Sequence, residues 1–414
     1  MENEDKILET ASLAGHILLE NGAEISRVEE TMERIASHFG VESENFFVLS
    51  NGIFTTGRTG YAKVEFIPFK GAQLERVAAV NQISRDIVTG KLTLDEARES
   101  LQEVRASRPK PHLEQIIGSA VGSAGFCVIF GGGPADAAAA LIAGLLLWAF
   151  VIYVTAPHMS KILGNLAGGA LGTLLCLIFY NIGFGSSLGN MIVGSLIPLI
   201  PGVAFTNGIR DFADEDYIAG ATRLLDALMV FLCIAAGVMI AFEGWYLVSG
   251  AMPSVNGATA DPLTSSLAVQ TAAAFVGTLG FAVLFGVPRR NYLQCAVVAG
   301  VGWLAYLVLE RFSPLGIFGA TLCASVIVVA LSRLSAVWFR TPGTIFLITG
   351  VFPMIPGGAI FWATLFLVEG RIGEAAHSGL KAVALTVAIV LGIVLVSSLP
   401  RGIFRPGRHK SRKN

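Results

Sequence analysis

Charge is scarce in this sequence. Asp, Glu, Lys and Arg make up 14% of its 414 residues, against about 25% in an ordinary soluble domain. With 53% hydrophobic residues, that shortage excludes a disordered chain and argues against a soluble enzyme. The net charge of −1 at pH 7 removes the general electrostatic case for nucleic-acid binding. Cysteine is also rare. The five residues Cys127, Cys176, Cys233, Cys295 and Cys323 show no Cys-x-x-Cys spacing, so small apolar packing groups are expected rather than disulfides or a zinc site. Gly131-Gly132-Gly133 lacks the Lys-Ser/Thr of a phosphate-binding loop and reads as a turn between spans. No cofactor, no metal and no direct use of ATP are expected. Met1 to Lys6 lacks the basic start and apolar stretch of a secretory signal, which predicts an N-terminal part folded in the cytoplasm.

The charge that is present is concentrated. Residues 1–115 hold 13 Lys+Arg and 19 Asp+Glu, or 32 of the 59 charged side chains. A soluble-looking head therefore precedes a body with the composition of a membrane protein. The head reads as a small α/β unit. Helices are predicted over 6–21 and, from the spacing of Ile25, Val28, Met32, Ile35 and Phe39, up to Gly40. Strands are predicted at 46–50, 53–56 and 61–69, the first two joined at Asn51-Gly52, a hairpin dipeptide. Leu74 to Val88 forms a further helix, and Thr93-Leu94-Asp95-Glu96 fits a capping box that opens the last one. The Pro-rich stretch 108–111 forms a linker. Within the head, a solvated helix face accounts for Ser26 to Glu30, and no metal or nucleophile spacing stands out.

The body has about ten runs long and apolar enough to span a bilayer, at 116–131, 137–155, 162–182, 186–205, 224–242, 266–286, 291–309, 314–332, 343–368 and 380–399. With the head inside, cytoplasmic loops carry seven cations: Lys161, Arg210, Arg223, Arg289, Arg290, Arg333 and Arg340. Outer loops carry three, Arg311, Arg371 and Lys381. The six Lys+Arg of the tail 401–414 fall inside, which agrees with the positive-inside rule and an even span count. The tail's charge suits topology and attraction to anionic lipid. Gly118-x-x-x-Gly122 and Gly185-x-x-x-Gly189 allow close helix contact; a homo-oligomer stays open.

An internal repeat is the most specific signal. Pro198-Leu199-Ile200-Pro201-Gly202-Val203-Ala204 matches Pro353-Met354-Ile355-Pro356-Gly357-Gly358-Ala359 at an offset of 155, since 353 − 198 = 155. Phe126, Val128, Phe130 and Gly131 match Phe281, Val283, Phe285 and Gly286 at the same offset. The expected architecture is therefore an α-helical polytopic membrane protein of two five-helix inverted-topology repeats, 116–243 and 266–400. An extracytoplasmic loop 244–265 separates them, a cytoplasmic α/β domain 1–115 precedes them and a basic tail 401–414 follows. Proline removes a backbone donor, so each Pro-x-x-Pro-Gly must break its helix, and Pro198, Pro201, Gly202, Pro353, Pro356 and Gly357 are read as helix-break residues. Paired breaks of this kind point to a substrate site.

After the first break comes the densest polar cluster of the body. Asn207, Asp211, Arg223 and Asp226 read either as charges in a cytoplasmic loop or as substrate-binding groups, with Arg for a carboxylate and Asp for an amine or a proton. The chain also resembles the threonine/serine exporter family. The resemblance rests on Leu18 to Glu29, on Pro201-Gly202 with Thr206 to Asp211, and on Asp216, Gly220, Arg223 and Leu224, with Pro353 to Gly357 as the signature of the smaller partner domain. It implies the fused form of a system otherwise made as two subunits, and it adds Asp216 to the candidate site. It departs at Phe212 and Ala213 and at the acidic triplet Asp214 to Asp216. The family implies a multi-pass inner-membrane protein, both termini cytoplasmic, that exports threonine and serine on the proton gradient or membrane potential. Split relatives imply a dicarboxylate exporter of the same architecture as the alternative. A membrane-anchored enzyme with a catalytic head is a third reading. The expected partners are a small-molecule substrate and membrane lipid.

Overall fold

The computed structural model describes residues 2–41, 46–57, 60, 62–251 and 261–400. The head begins with α1 (Glu2–Glu20) and α2 (Ile25–His38). An antiparallel sheet follows in the order β1 (Phe46–Leu49), β2 (Gly52–Thr56), β3 (Ala62–Phe66). Two more helices, α3 (Leu74–Val88) and α4 (Leu94–Ala106), complete it. Leu8, Ile17, Leu18, Ile25, Met32 and Ile53 are fully buried, and each such side chain contributes roughly 1.5–3 kcal/mol of transfer free energy. The apolar spacing read along 25–39 is the buried face of α2. Thr93 caps α4, accepting from the Glu96 amide while Glu96 accepts from the Thr93 amide. One expectation shifts by a residue. Leu49 pairs with Gly52, so the turn is Ser50-Asn51 and Gly52 belongs to the strand. Space is tight at 52, where a Cβ would meet the Glu65 carbonyl oxygen at 3.1 Å.

The helical body begins with α5 (His112–Ile129) and α6 (Pro134–Phe150), which runs through a π-helical turn (Val151–Thr155) into the short α7 (Ala156–His158). Then come α8 (Lys161–Asn181), α9 (Leu188–Leu196), α10 (Gly202–Ala213) and α11 (Tyr217–Ser249). The second half contains α12 (Leu267–Leu284), α13 (Tyr292–Phe312), α14 (Gly316–Phe339), α15 (Gly343–Val351), α16 (Gly357–Val368) and α17 (Ile372–Ser397). Among the described residues, eight helices have the length and apolar composition to cross a membrane, and the bent pairs α9–α10 and α15–α16 bring the count to as many as ten. Side chains such as Ile218, Leu225, Leu293, Leu380 and Val383 are 60–71% exposed on the body's flanks, as lipid-facing groups are and groups of a water-soluble surface are not. The chain is a multi-pass membrane protein. All five cysteines are free, and Cys127, Cys176 and Cys295 are buried.

Helix α11 runs to Ser249, several residues past the expected span end at 242, because Trp245, Tyr246, Leu247 and Val248 extend its apolar composition. The basic tail and the middle of the outer loop, 252–260, lie outside the described residues. Bounds in the two halves coincide under one shift. Adding 155 to 112–129, 188–196 and 202–213 gives 267–284, 343–351 and 357–368, the limits of α12, α15 and α16.

Helices α5 and α12 cross at glycines. A Cβ on Gly280 would come within 2.4 Å of the Gly118 carbonyl oxygen, and one on Gly125 within 2.6 Å of Gly277 Cα. The Gly118-x-x-x-Gly122 spacing is thus filled from within the chain.

Candidate functional site

Both Pro-x-x-Pro-Gly motifs break their helices. After α9 the chain tightens into a 3-10 turn (Ile197–Leu199), passes Pro201 and resumes as α10 at 70°. After α15 the same turn (Phe352–Met354) leads past Pro356 into α16 at 44°. Proline at the second position of each turn has no amide to donate, which ends the preceding helix there. The breaks meet. A Cβ on Gly202 would lie 2.3 Å from the Phe352 ring, and one on Gly357 would lie 3.0 Å from Ile200. Phe352 packs on Phe126, Phe281 and Phe285 at centroid distances of 5.1, 4.4 and 5.1 Å. An aromatic cluster therefore seals the body between the two breaks.

The polar cluster lies on the head side of this seal, and the head reaches into it. The turn between α1 and α2, Asn21 to Glu24, carries the contacts. Asn207 Nδ2 donates to the Gly22 carbonyl at 2.7 Å. Arg223 donates to the Ala23 carbonyl at 2.9 Å and pairs with Asp211 at 2.8 Å. The Ile25 amide donates to Asp211 at 3.4 Å. Glu24 is fully buried. It pairs with Arg210 at 2.8 Å and accepts from the Thr344 hydroxyl. One carboxylate of the head thus joins the end of α10 to the start of α15. Burial alone would raise the Glu24 carboxyl, but Arg210, Arg27, the Thr344 hydroxyl and Arg223 outweigh it and hold it below its ordinary value. The head also docks through α3, whose first amides, Leu74 and Glu75, donate to the carbonyls of Phe285 and Gly286 at 3.0 and 2.7 Å.

Of the candidate residues, Asn207, Asp211 and Arg223 come together. Asp216 ends the α10–α11 turn, where its amide donates to the Asp211 carbonyl at 2.8 Å. Asp226 stands one turn beyond Arg223 and pairs with Lys161 at 2.6 Å. Asn207, Arg223, Asp226 and Lys161 share one cavity of 260 Å³ between the head and α10–α11. Asn207 is 2% exposed, and among the described residues its Oδ1 has no hydrogen-bond partner. The cavity therefore presents two cations, one carboxylate and a free acceptor. The pairs formed by Glu24, Arg210 and Thr344 were not legible, because Thr344 is 320 residues from Glu24. The one signal was that Glu24 and Arg210 both fall in the motifs carrying the family resemblance.

A multi-pass helical body with paired broken helices and a polar cavity at one of them has the build of a membrane transporter. Comparison with known proteins makes the class specific. A family model described as "Putative threonine/serine exporter" (ThrE) matches residues 9–245, and a second, "Threonine/Serine exporter, ThrE", matches 270–399. The chain belongs to the threonine/serine exporter family. It is 23% identical to a Mycobacterium tuberculosis protein named "Probable threonine/serine exporter", over 97% of this chain and 78% of that one. It is 22% identical to the "Threonine/serine exporter" of Corynebacterium glutamicum, over 97% and 84%. An uncharacterized Schizosaccharomyces pombe protein is 25% identical over 42% of this chain and 22% of its own length. No solved structure matches.

Proposed function

We propose that the protein is a secondary transporter that exports threonine, serine or a closely similar small polar amino acid from the cytoplasm. The observation that carries this reading is the small cavity of mixed charge beside the first helix break. Its 260 Å³ lies below the ~300–1,000 Å³ of sites for drug-sized ligands. Arg223 and Lys161 supply donors for a carboxylate, while Asp226 and Asn207 Oδ1 supply acceptors for an ammonium group. A dicarboxylate would leave those acceptors unused, so the charge pattern favours a zwitterion over a succinate-like solute. Asp211 acts on the site through Arg223, which it orients, and Asp216 adds negative charge near the same guanidinium.

The two five-span units, 116–243 and 266–400, work as an inverted repeat around the meeting breaks, with the proton gradient or membrane potential as the driving force. The offset of 155 and the crossed contacts of Gly202 with Phe352 and Gly357 with Ile200 support this arrangement. The head, residues 1–115, and both termini face the cytoplasm of a bacterial inner membrane. The seven-to-three split of loop cations supports that orientation, as do the head's bonds to Phe285, Gly286 and Arg340, all on loops of the cation-rich side. A catalytic head has less support: both matching family models describe exporters, and of the head's buried charges Glu24 is spent on docking while Glu20 and Lys110 are paired within the head.

Efflux of labelled threonine from preloaded vesicles, with serine or succinate as competitor, tests the reading. Competition by serine and indifference to succinate are expected. Succinate efflux without threonine efflux overturns it.

A further inference from the structure

A second cavity, of 360 Å³, lies at the other helix break. It occupies the end of the body away from the head, where Ile129 and Phe130 close α5. Its lining is the counterpart of the first cavity's. Trp362, Ser378 and Lys381 line it, and subtracting 155 from each gives Asn207, Arg223 and Asp226, which line the first. The chemistry is changed at every one of these positions. The carboxylate of Asp226 becomes the ammonium of Lys381. Lys161, which neutralises Asp226, becomes Gly316, and among the described residues Lys381 has no ion-pair or hydrogen-bond partner. Around this one cation the wall is aromatic and hydroxylic. Trp303 and Tyr306 stack at 5.0 Å, Trp362 and Phe366 stack at 5.5 Å, and Ser378 adds a hydroxyl. Trp303 is held by a hydrogen bond from its Nε1 to Gln270 Oε1 at 3.3 Å.

We propose that this second cavity is the exit-side binding site for the transported solute, with Lys381 receiving its carboxylate. The proposal rests on the exporter reading and extends it to a site on the opposite face. An unpaired ammonium beside Ser378 favours an anionic group, while the Trp303, Tyr306 and Trp362 rings offer π faces to a substrate ammonium. The two cavities then bind the same zwitterion by different means. The inner one offers charges of both signs, and the outer one offers a single cation and aromatic faces. A weaker hold on the outer face suits release, and the aromatic seal at Phe352 separates the two sites.

The test is exchange measured separately on each face. Membrane vesicles of both orientations, containing the full chain and loaded with unlabelled threonine, take up labelled threonine from outside. The half-saturating concentration in right-side-out vesicles reads the exit face, and that in inside-out vesicles reads the cytoplasmic face. Lys381→Gln is expected to raise the first about tenfold, the scale of removing one charge-assisted hydrogen bond, and to leave the second within about twofold. Lys381→Arg is expected to restore the first. An unchanged exit-face value in Lys381→Gln, or an equal rise on both faces, overturns the proposal while wild-type exchange upholds the transporter reading. A wild-type protein that exchanges neither threonine nor labelled succinate on either face overturns both.

Discussion

The Glu24 contact should hold the head onto the body, and Glu24→Gln tests how strongly. Its carboxylate is fully buried and lies 2.8 Å from Arg210 and 3.9 Å from Arg27. Removing one partner of a buried ion pair costs about 3–5 kcal/mol, because the other charge is left uncompensated. Here the Arg210 side chain is 21% exposed, so water recovers part of that loss, and glutamine keeps the bond from Thr344. We therefore expect a net cost of ~2 kcal/mol, which is about a 30-fold rise in the equilibrium for local opening. The assay is native-state amide exchange at Ile25, whose N–H is held by Asp211 behind the same contact. Protection of Ile25 should fall about 30-fold, while amides in the core of α3 keep theirs. Unchanged protection at Ile25 would refute the argument that Glu24 fastens the head.

Three other outcomes follow from the same geometry. Gly202→Ala would press a methyl against the Phe352 ring, which Phe281 backs at 4.4 Å; overpacking of about 1–3 kcal/mol should lower both thermal stability and efflux, and Phe352→Leu in the same chain should recover part of each. Because Glu24 is held below its ordinary value, its contribution to docking is complete above the unfolded carboxyl value, about 4.3, and is lost as pH falls through the folded value. The difference in Ile25 protection between wild type and Glu24→Gln, corrected for intrinsic exchange, should thus be full above about pH 5 and shrink in stronger acid. Arg223→Lys should reduce efflux although it preserves charge, because one ammonium cannot reproduce the two-sided fork to Asp211 and the Ala23 carbonyl; full efflux in that variant would argue against the fork.

The head was largely readable because its signals are local. Apolar spacing located α2 and α3, and Thr93 with Glu96 announced the capping box of α4. The turn slipped by one residue because Asn51-Gly52 favours a tight turn by itself, whereas pairing with β3 draws Gly52 into the strand. Proline chemistry marked both helix breaks, since a missing amide acts wherever it falls. Their mutual contact was not readable, because Gly202 and Phe352 are 150 residues apart. The polar cluster was found as a concentration of charge in a charge-poor body. Half of its partners were not, because they are the Gly22 and Ala23 carbonyls and the Ile25 amide of the head, groups that every residue carries. Asp226 stands apart from Asp211 because Lys161, 65 residues earlier, claims it.

Under the proposed function, the mixed-charge cavity at the first break binds the exported amino acid. Efflux of labelled threonine from proteoliposomes of the purified full chain, with Arg223→Ala and Asp226→Asn beside wild type, tests it most directly. Wild type should empty the vesicles when a gradient is imposed, and each variant should lose at least about tenfold in rate at low internal threonine, equivalent to ~1.4 kcal/mol of binding. Wild-type rates in both variants would rule this cavity out as the binding site.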